Sequence, residues 1–192
     1  LRFLLYLSEF LFINFKMSSW SEFIQGYLVN NVHGENTIVN ACEAGALIGA
    51  DGTIWACTQG FALNASAKVE VAKDDGSKET ITINEFDHIK DAITHKGNTQ
   101  KMKKGGVHFG GQKWVVLDGF TGEGYYTQYF KSSTGGAAVT VTGAGNYIIG
   151  TWNSQKDATV TKDGVAKKVK QTVGFCNNAV DDLSKVLVQS GL

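Results

Sequence analysis

Three Cys, four His and one Gly-rich stretch carry whatever chemistry this sequence could offer. The His residues, at 33, 88, 95 and 108, show neither HExxH spacing nor a companion Cys pair, so they spell no zinc site. Cys42, Cys57 and Cys176 form no CxxC, and three thiols cannot pair completely within one chain, which predicts reduced, cytosolic cysteines. Cys57 falls on a predicted strand and Cys176 at a predicted helix start, where a buried structural thiol is the ordinary explanation. A Cys–His nucleophile pair stays open at this level, because such partners meet in space and not in sequence order. The stretch Gly105-Gly106-Val107-His108-Phe109-Gly110-Gly111-Gln112-Lys113 lacks the Gly spacing and the closing Lys-Ser/Thr of a phosphate-cradling loop. Its two Gly pairs predict instead a backbone that bends sharply, or passes close to another segment, before a buried strand over 113–117. Nothing here asks for catalysis, a metal or a cofactor, and the chain reads as a non-enzyme.

The elements that must hold these residues follow from period and punctuation. Ser19-Trp20-Ser21-Glu22 is a capping box opening a helix whose apolar stripe is Trp20, Phe23, Ile24, Tyr27 and Leu28. Apolar runs on either side of Ala50-Asp51-Gly52 predict a hairpin over 46–57. Alternation around Asp74-Asp75-Gly76-Ser77 predicts a second hairpin over 69–83. Asn84 caps a short helix carrying Phe86, Ile89 and Ile93, which Lys96-Gly97 stops. Runs at 113–117, 125–130, 137–142 and 147–152, parted by Gly-rich turns, predict an antiparallel meander. Residues 159–165 read either as a strand with its turn or as a loop. Asn177 or Asn178 caps a last helix with Ala179, Val180, Leu183, Val186 and Leu187 on one face, ending at Gly191. The order predicts an α+β domain, an antiparallel sheet with the terminal helices side by side on one face.

At 192 residues the chain holds one domain with a proper core. Lys+Arg 18 against Asp+Glu 18 gives a net charge of zero, which removes the broad attraction that nucleic-acid and membrane-surface binders carry. No nucleic-acid partner is expected, and an anionic partner must use a local patch such as Lys101, Lys103 and Lys104. Residues 1–16 are strongly apolar but shorter than the roughly 20 residues that span a bilayer. They read as a hydrophobic N-terminal extension, either translated leader or gene-model artefact, with a true hydrophobic anchor as the rival. The absence of Pro argues against a Pro-rich linker.

Four motifs together resemble the profilin family: Trp20 with Phe23, the turn Asp51-Gly52-Thr53-Ile54-Trp55, Gly110-Gly111-Gln112-Lys113, and Ser133-Thr134-Gly135-Gly136. The resemblance runs over residues 17–192, Met17 standing where a profilin would start. A hairpin at about 68–83 is an insertion relative to plant and animal profilins and resembles the β-arm of apicomplexan, alveolate-type members. The resemblance implies a central antiparallel sheet with N- and C-terminal helices packed together on one face and the short helix on the other. It implies a monomer of cytoplasm and cytoskeleton that binds monomeric actin and regulates filament assembly. The actin contacts it nominates are Lys113, Val115, Glu123, Lys131, Asn177 and Asn178. Proline-rich ligands such as formins are a weaker expectation, through Trp20, Phe23, Trp55, Leu183 and Val186. Phe23 stands where Tyr is usual, and Val186 and Val188 occupy the region that normally supplies another Tyr. Phosphoinositides are a further expected partner. The rival implication is a profilin-like structural component of a larger cytoskeletal or ciliary assembly, without strong actin binding.

Overall fold

The computed structural model describes residues 20–31, 37–73, 75–102 and 106–192. The expectations placed on residues 1–16, on Ser19 of the capping box, and on His33, Asp74, Lys103, Lys104 and Gly105 fall outside them.

Helix α1, Trp20–Phe23, widens directly into a π-helical turn over Ile24–Val29. Two short strands follow, β1 (Asn30–Asn31) and β2 (Thr37–Val39), and then the expected hairpin of β3 (Ala44–Ile48) and β4 (Ile54–Cys57). At its turn the Asp51 carboxylate accepts bonds from the Thr53 amide and hydroxyl, both at 2.9 Å, fixing the reversal locally. The arm β5 (Ala67–Ala72) and β6 (Lys78–Ile83) forms a two-stranded sheet of its own. Helix α2 (Glu85–Thr94) starts where Asn84 Oδ1 accepts from the Phe86 and Asp87 amides, and ends where Lys96 and Gly97 turn to positive φ.

The remaining strands are β7 (Val107–Phe109), β8 (Gln112–Gly122), β9 (Tyr125–Lys131), β10 (Gly135–Thr142) and β11 (Tyr147–Asn153). Then come β12 (Asp157–Lys162), β13 (Val165–Lys170) and helix α3 (Val173–Gln189). The central sheet has seven antiparallel strands in the order β4-β3-β11-β10-β9-β8-β7. A second sheet, β1-β2-β12-β13, was not anticipated; residues 159–165 belong to its closing hairpin and not to a loop. On that hairpin Asp157 takes hydrogen bonds from Lys170 and Lys168, which hold its carboxyl down at about 2.

The side-chain period of two divides the central strands between two cores. Leu47, Ala138 and Ile148 pack with Ile24, Tyr27 and Leu28 of the N-terminal helix and with Val180, Leu183 and Leu187 of α3. Their neighbours Ala46, Ile48, Ala137, Val139, Tyr147 and Ile149 pack with Phe86, Ile89 and Ile93 of α2 and with Phe109, Trp114 and Phe130. Terminal helices on one face and the short helix on the other is therefore the arrangement found. Gly45 and Gly150 face each other across β3 and β11 and flatten the sheet under both terminal helices. A Cβ at Gly45 would lie 2.6 Å from Leu28, and one at Gly150 would lie 2.5 Å from Val180.

Two expectations need correction. The α3 cap is Thr172, whose hydroxyl accepts from the Phe175 amide, so Asn177 and Asn178 lie inside the helix and not at its start. Thr172 wins because it sits just before the first helical residue, where an Ncap oxygen reaches the N3 amide. The strand after the Gly pairs is longer than 113–117, and it is not a buried core strand: only Trp114 along β8 is buried.

Among arm residues Val71 and Ile83 are buried, yet neither belongs to the two main core clusters. Replacing Glu70–Thr80 by a short Gly-Ser turn, which removes Val71 and keeps Ile83, should leave the domain folded. The expected fall in Tm is about 3 to 6 °C, from the burial of one Val side chain. A loss of cooperative melting would show that the arm is integral to the core.

Candidate binding surfaces

Strand β8 is paired with β7 only through Gln112, Lys113 and Trp114, and with β9 along most of its length. Alternation sends Trp114 and Val116 inward and Lys113, Val115 and Leu117 outward. The register then slips between Val116 and Gly119. Buried Gln128 fills the slip, its amide donating to the Leu117 carbonyl while its Oε1 accepts from the Tyr126 hydroxyl at 2.8 Å. Past the slip, Phe120 returns to the outward side, opposite Thr127. The result is a line of exposed apolar side chains on an outer strand: Val115 at 63%, Leu117 at 45% and Phe120 at 50%.

Lys131 lies directly opposite Val115, so this nominated pair meets in space. Glu123 sits in the β8–β9 turn, about 30 Å along the strand from Lys113 by strand rise alone. The nominated charges thus mark two ends of one face and form no cluster. Helix α3 borders that face: the Tyr125 hydroxyl donates to Asp181, which Lys185 also contacts at 2.5 Å. Burial first, and then the bond to Asp181, pushes the Tyr125 hydroxyl's pKa well above its ordinary value. Asn178 is exposed on α3, whereas Asn177 is partly buried with an Oδ1 that has no partner among the described residues. Leu117, Phe120 and Asp181 were not singled out from sequence. Leu117 was there to be found in the alternation; Phe120 was hidden by the register slip that breaks it.

A second surface gathers aromatic rings. Trp20 lies 5.4 Å from Trp55 and 5.6 Å from Phe23, and Phe23 stacks on Tyr27 at 5.9 Å. Trp20 is exposed, whereas Phe23, Trp55 and Val186 are half-buried against the terminal-helix core. Leu183 does not reach this surface: it is fully buried beneath, because its position on α3 points at the sheet.

The Gly-rich turn owes its shape to a residue that sequence reading missed. Gly110 and Gly111 both take positive φ, and their amides donate to the carboxylate of Glu85 at 3.1 and 3.0 Å. The Asn64 amide donates to the same carboxylate at 2.9 Å, and Glu85 is 1% exposed. An open groove of about 860 Å³ runs beside this turn, lined in part by Phe61, Leu63, Trp114 and Trp152; none of the nominated residues lines it. His88 Nδ1 lies 2.8 Å from the Gly106 carbonyl, and burial pushes the pKa of the His108 imidazole down. Among the described residues no group of three or more His, Cys, Asp or Glu could hold a metal ion, and no helix is long and apolar enough to cross a membrane.

The profilin family model matches residues 18–192. Among solved structures the chain is similar to profilin II of Acanthamoeba castellanii in a cubic crystal form. That likeness has 21% identity over 79% of this chain and 89% of that one, with a TM-score of 0.46. The family is non-enzymatic, actin-binding and cytoskeletal, and binds proline-rich ligands in general. On a match that leaves out only residues 1–17, this chain belongs to the profilin family.

Proposed function

We propose that this chain binds monomeric actin through the outward face of β8 and β9 and the adjoining flank of α3, and so regulates filament assembly. The observation that carries the reading is the exposed line Val115, Leu117 and Phe120, with Lys113 and Lys131 beside its first member. Apolar side chains rimmed by charge are the composition of a surface that another protein covers. Lys113, Val115 and Lys131 lie on that face, Glu123 in the turn at its far end, and Asn177 and Asn178 on α3 about one turn before Asp181. The purified protein should lower steady-state polymer in a pyrene-actin assembly assay by holding monomers. Unchanged polymer at a large excess of protein would favour the rival role, a structural part of a larger cytoskeletal assembly.

Proline-rich ligands are a second activity, supported by the Trp55, Trp20, Phe23 row of rings. Flat aromatic surfaces receive a polyproline helix that is already formed, so little ordering entropy is lost. Val186 in place of an aromatic removes stacking area and a hydroxyl donor, a loss of about 1 to 2 kcal/mol. Affinity for oligoproline should therefore sit roughly tenfold below that of a surface with the full aromatic set. Titration followed by Trp fluorescence should show saturation that Trp20→Ala abolishes. A response indifferent to Trp20→Ala would make the aromatic row plain packing. For phosphoinositides, exposed Lys162 and Lys167, which share one face of the β12–β13 hairpin, offer a small local cationic site in a chain of zero net charge, while Lys168 and Lys170 on the other face are paired with Asp157.

A further inference from the structure

Cys42 and Cys176 are 134 residues apart in sequence, yet their Sγ atoms lie 3.4 Å apart inside the terminal-helix core. Cys42 is 1% exposed and Cys176 is fully buried. Cys42 follows β2, its amide bonded to the Leu28 carbonyl at the end of the π-helical turn. Cys176 is on the first turn of α3, its amide bonded to the Thr172 carbonyl. Gly150 makes the meeting possible, since a Cβ there would stand 3.1 Å from each sulfur. A disulfide needs sulfurs about 2 Å apart, so closure asks for a shift of little more than 1 Å. We propose that Cys42 and Cys176 are a modification site, forming an intramolecular disulfide when the protein meets a hydroperoxide.

The pair has an internal direction. The Cys42 thiol donates to the Cys176 sulfur, and that bond together with burial pushes the Cys42 thiol up, so Cys42 keeps its proton. Cys176 is therefore the first nucleophile. The Cys176 sulfur attacks one peroxide oxygen, the O–O bond breaks, and the departing hydroxide leaves as water with the proton that the Cys176 thiol gives up. The Cys42 sulfur then attacks the resulting Cys176 sulfenic acid, the S–O bond breaks, and the second hydroxide leaves as water with the Cys42 proton. Two thiols lose two electrons and one peroxide gains them. Peroxide enters by local opening of the first turn of α3, where Val173 and Gly174 are exposed. The bond ties the start of α3 to the segment that leaves the N-terminal helix.

Hydrogen peroxide on the full chain carrying Cys57→Ser is the test. Both remaining thiols should resist alkylation after denaturation, the mass should fall by two hydrogens, and the chain should stay monomeric on a non-reducing gel. Tm should rise by roughly 5 to 10 °C, as a cross-link closing a long loop gives, and dithiothreitol should reverse it. Cys42→Ala in the same background should show none of this. In the unaltered chain, peptide mapping should find the Cys42 and Cys176 peptides joined, which covers the case that Cys57→Ser fails to fold. Thiols that still alkylate after exposure, a linkage between two chains, or Cys176 carried on to sulfinic acid with Cys42 free would each overturn the proposal.

Discussion

Glu85→Ala is expected to lower Tm by roughly 10 °C, from a loss of about 3 to 5 kcal/mol. The wild-type carboxylate accepts three backbone N–H groups, from Asn64, Gly110 and Gly111, while 1% exposed. Ala removes every acceptor at once and leaves three amides at the edge of the groove with only water in place of a charged acceptor. Hydrogen bonds to a charged acceptor are about twice as strong as neutral ones, which sets this substitution apart from loss of an exposed cap. Glu85→Gln should fall between, because its amide oxygen can still accept while its NH₂ faces another donor. Exchange of the Gly110 and Gly111 amides should quicken before global unfolding, since the turn loses its anchor first. A Glu85→Ala protein melting within about 2 °C of wild type would mean that the carboxylate is dispensable to the turn.

That residue also marks where sequence reading stops. Asn84 was legible as a cap because the amides it serves are two and three residues on, within one turn of chain. Glu85 serves amides 21, 25 and 26 residues away, and no local pattern encodes such a meeting. The Gly pair was readable as a place of close backbone approach; the group that approaches was not. The same contrast runs through α3. Asn177 and Asn178 read as its caps because they precede the apolar stripe, whereas the helix starts a turn earlier, where the Thr172 hydroxyl caps it. Each central strand divides its side chains between the two cores. The central hairpins followed from period, the pairing of the terminal helices from element order, and the short helix on the opposite face from the family resemblance. The second sheet did not, since β1 and β2 are two and three residues long and too short to carry a period. On the binding face, family likeness nominated three charges, one Val and two Asn; Leu117 was within reach of the alternation, whereas Phe120 emerges only once the register slip in β8 is known.

Val115→Asp should weaken binding of monomeric actin by about 30-fold or more, because a central apolar contact is worth about 2 kcal/mol or above and a carboxylate in its place must also be desolvated. Val115 is 63% exposed, so the change touches no core and the melting curve should stay put. Lys113→Glu should act differently. Lys113 is exposed one alternation away on the same face, and reversing it changes the charge that meets the partner. A rim charge acts mainly on association rate, so the expected loss is about tenfold at low salt and shrinks as salt screens it. Phe120→Asp extends the test to the far half of the strand, beyond the register slip. Trp20→Ala, on the aromatic surface, serves as the control that should leave actin binding unchanged while abolishing the oligoproline response. If all three β8 variants hold monomers as well as wild type, the β8 face is not the actin surface. If Val115→Asp and Phe120→Asp fail together while Lys113→Glu changes only the salt dependence, burial of the apolar line is what drives the contact, and the charges at its ends set orientation and speed.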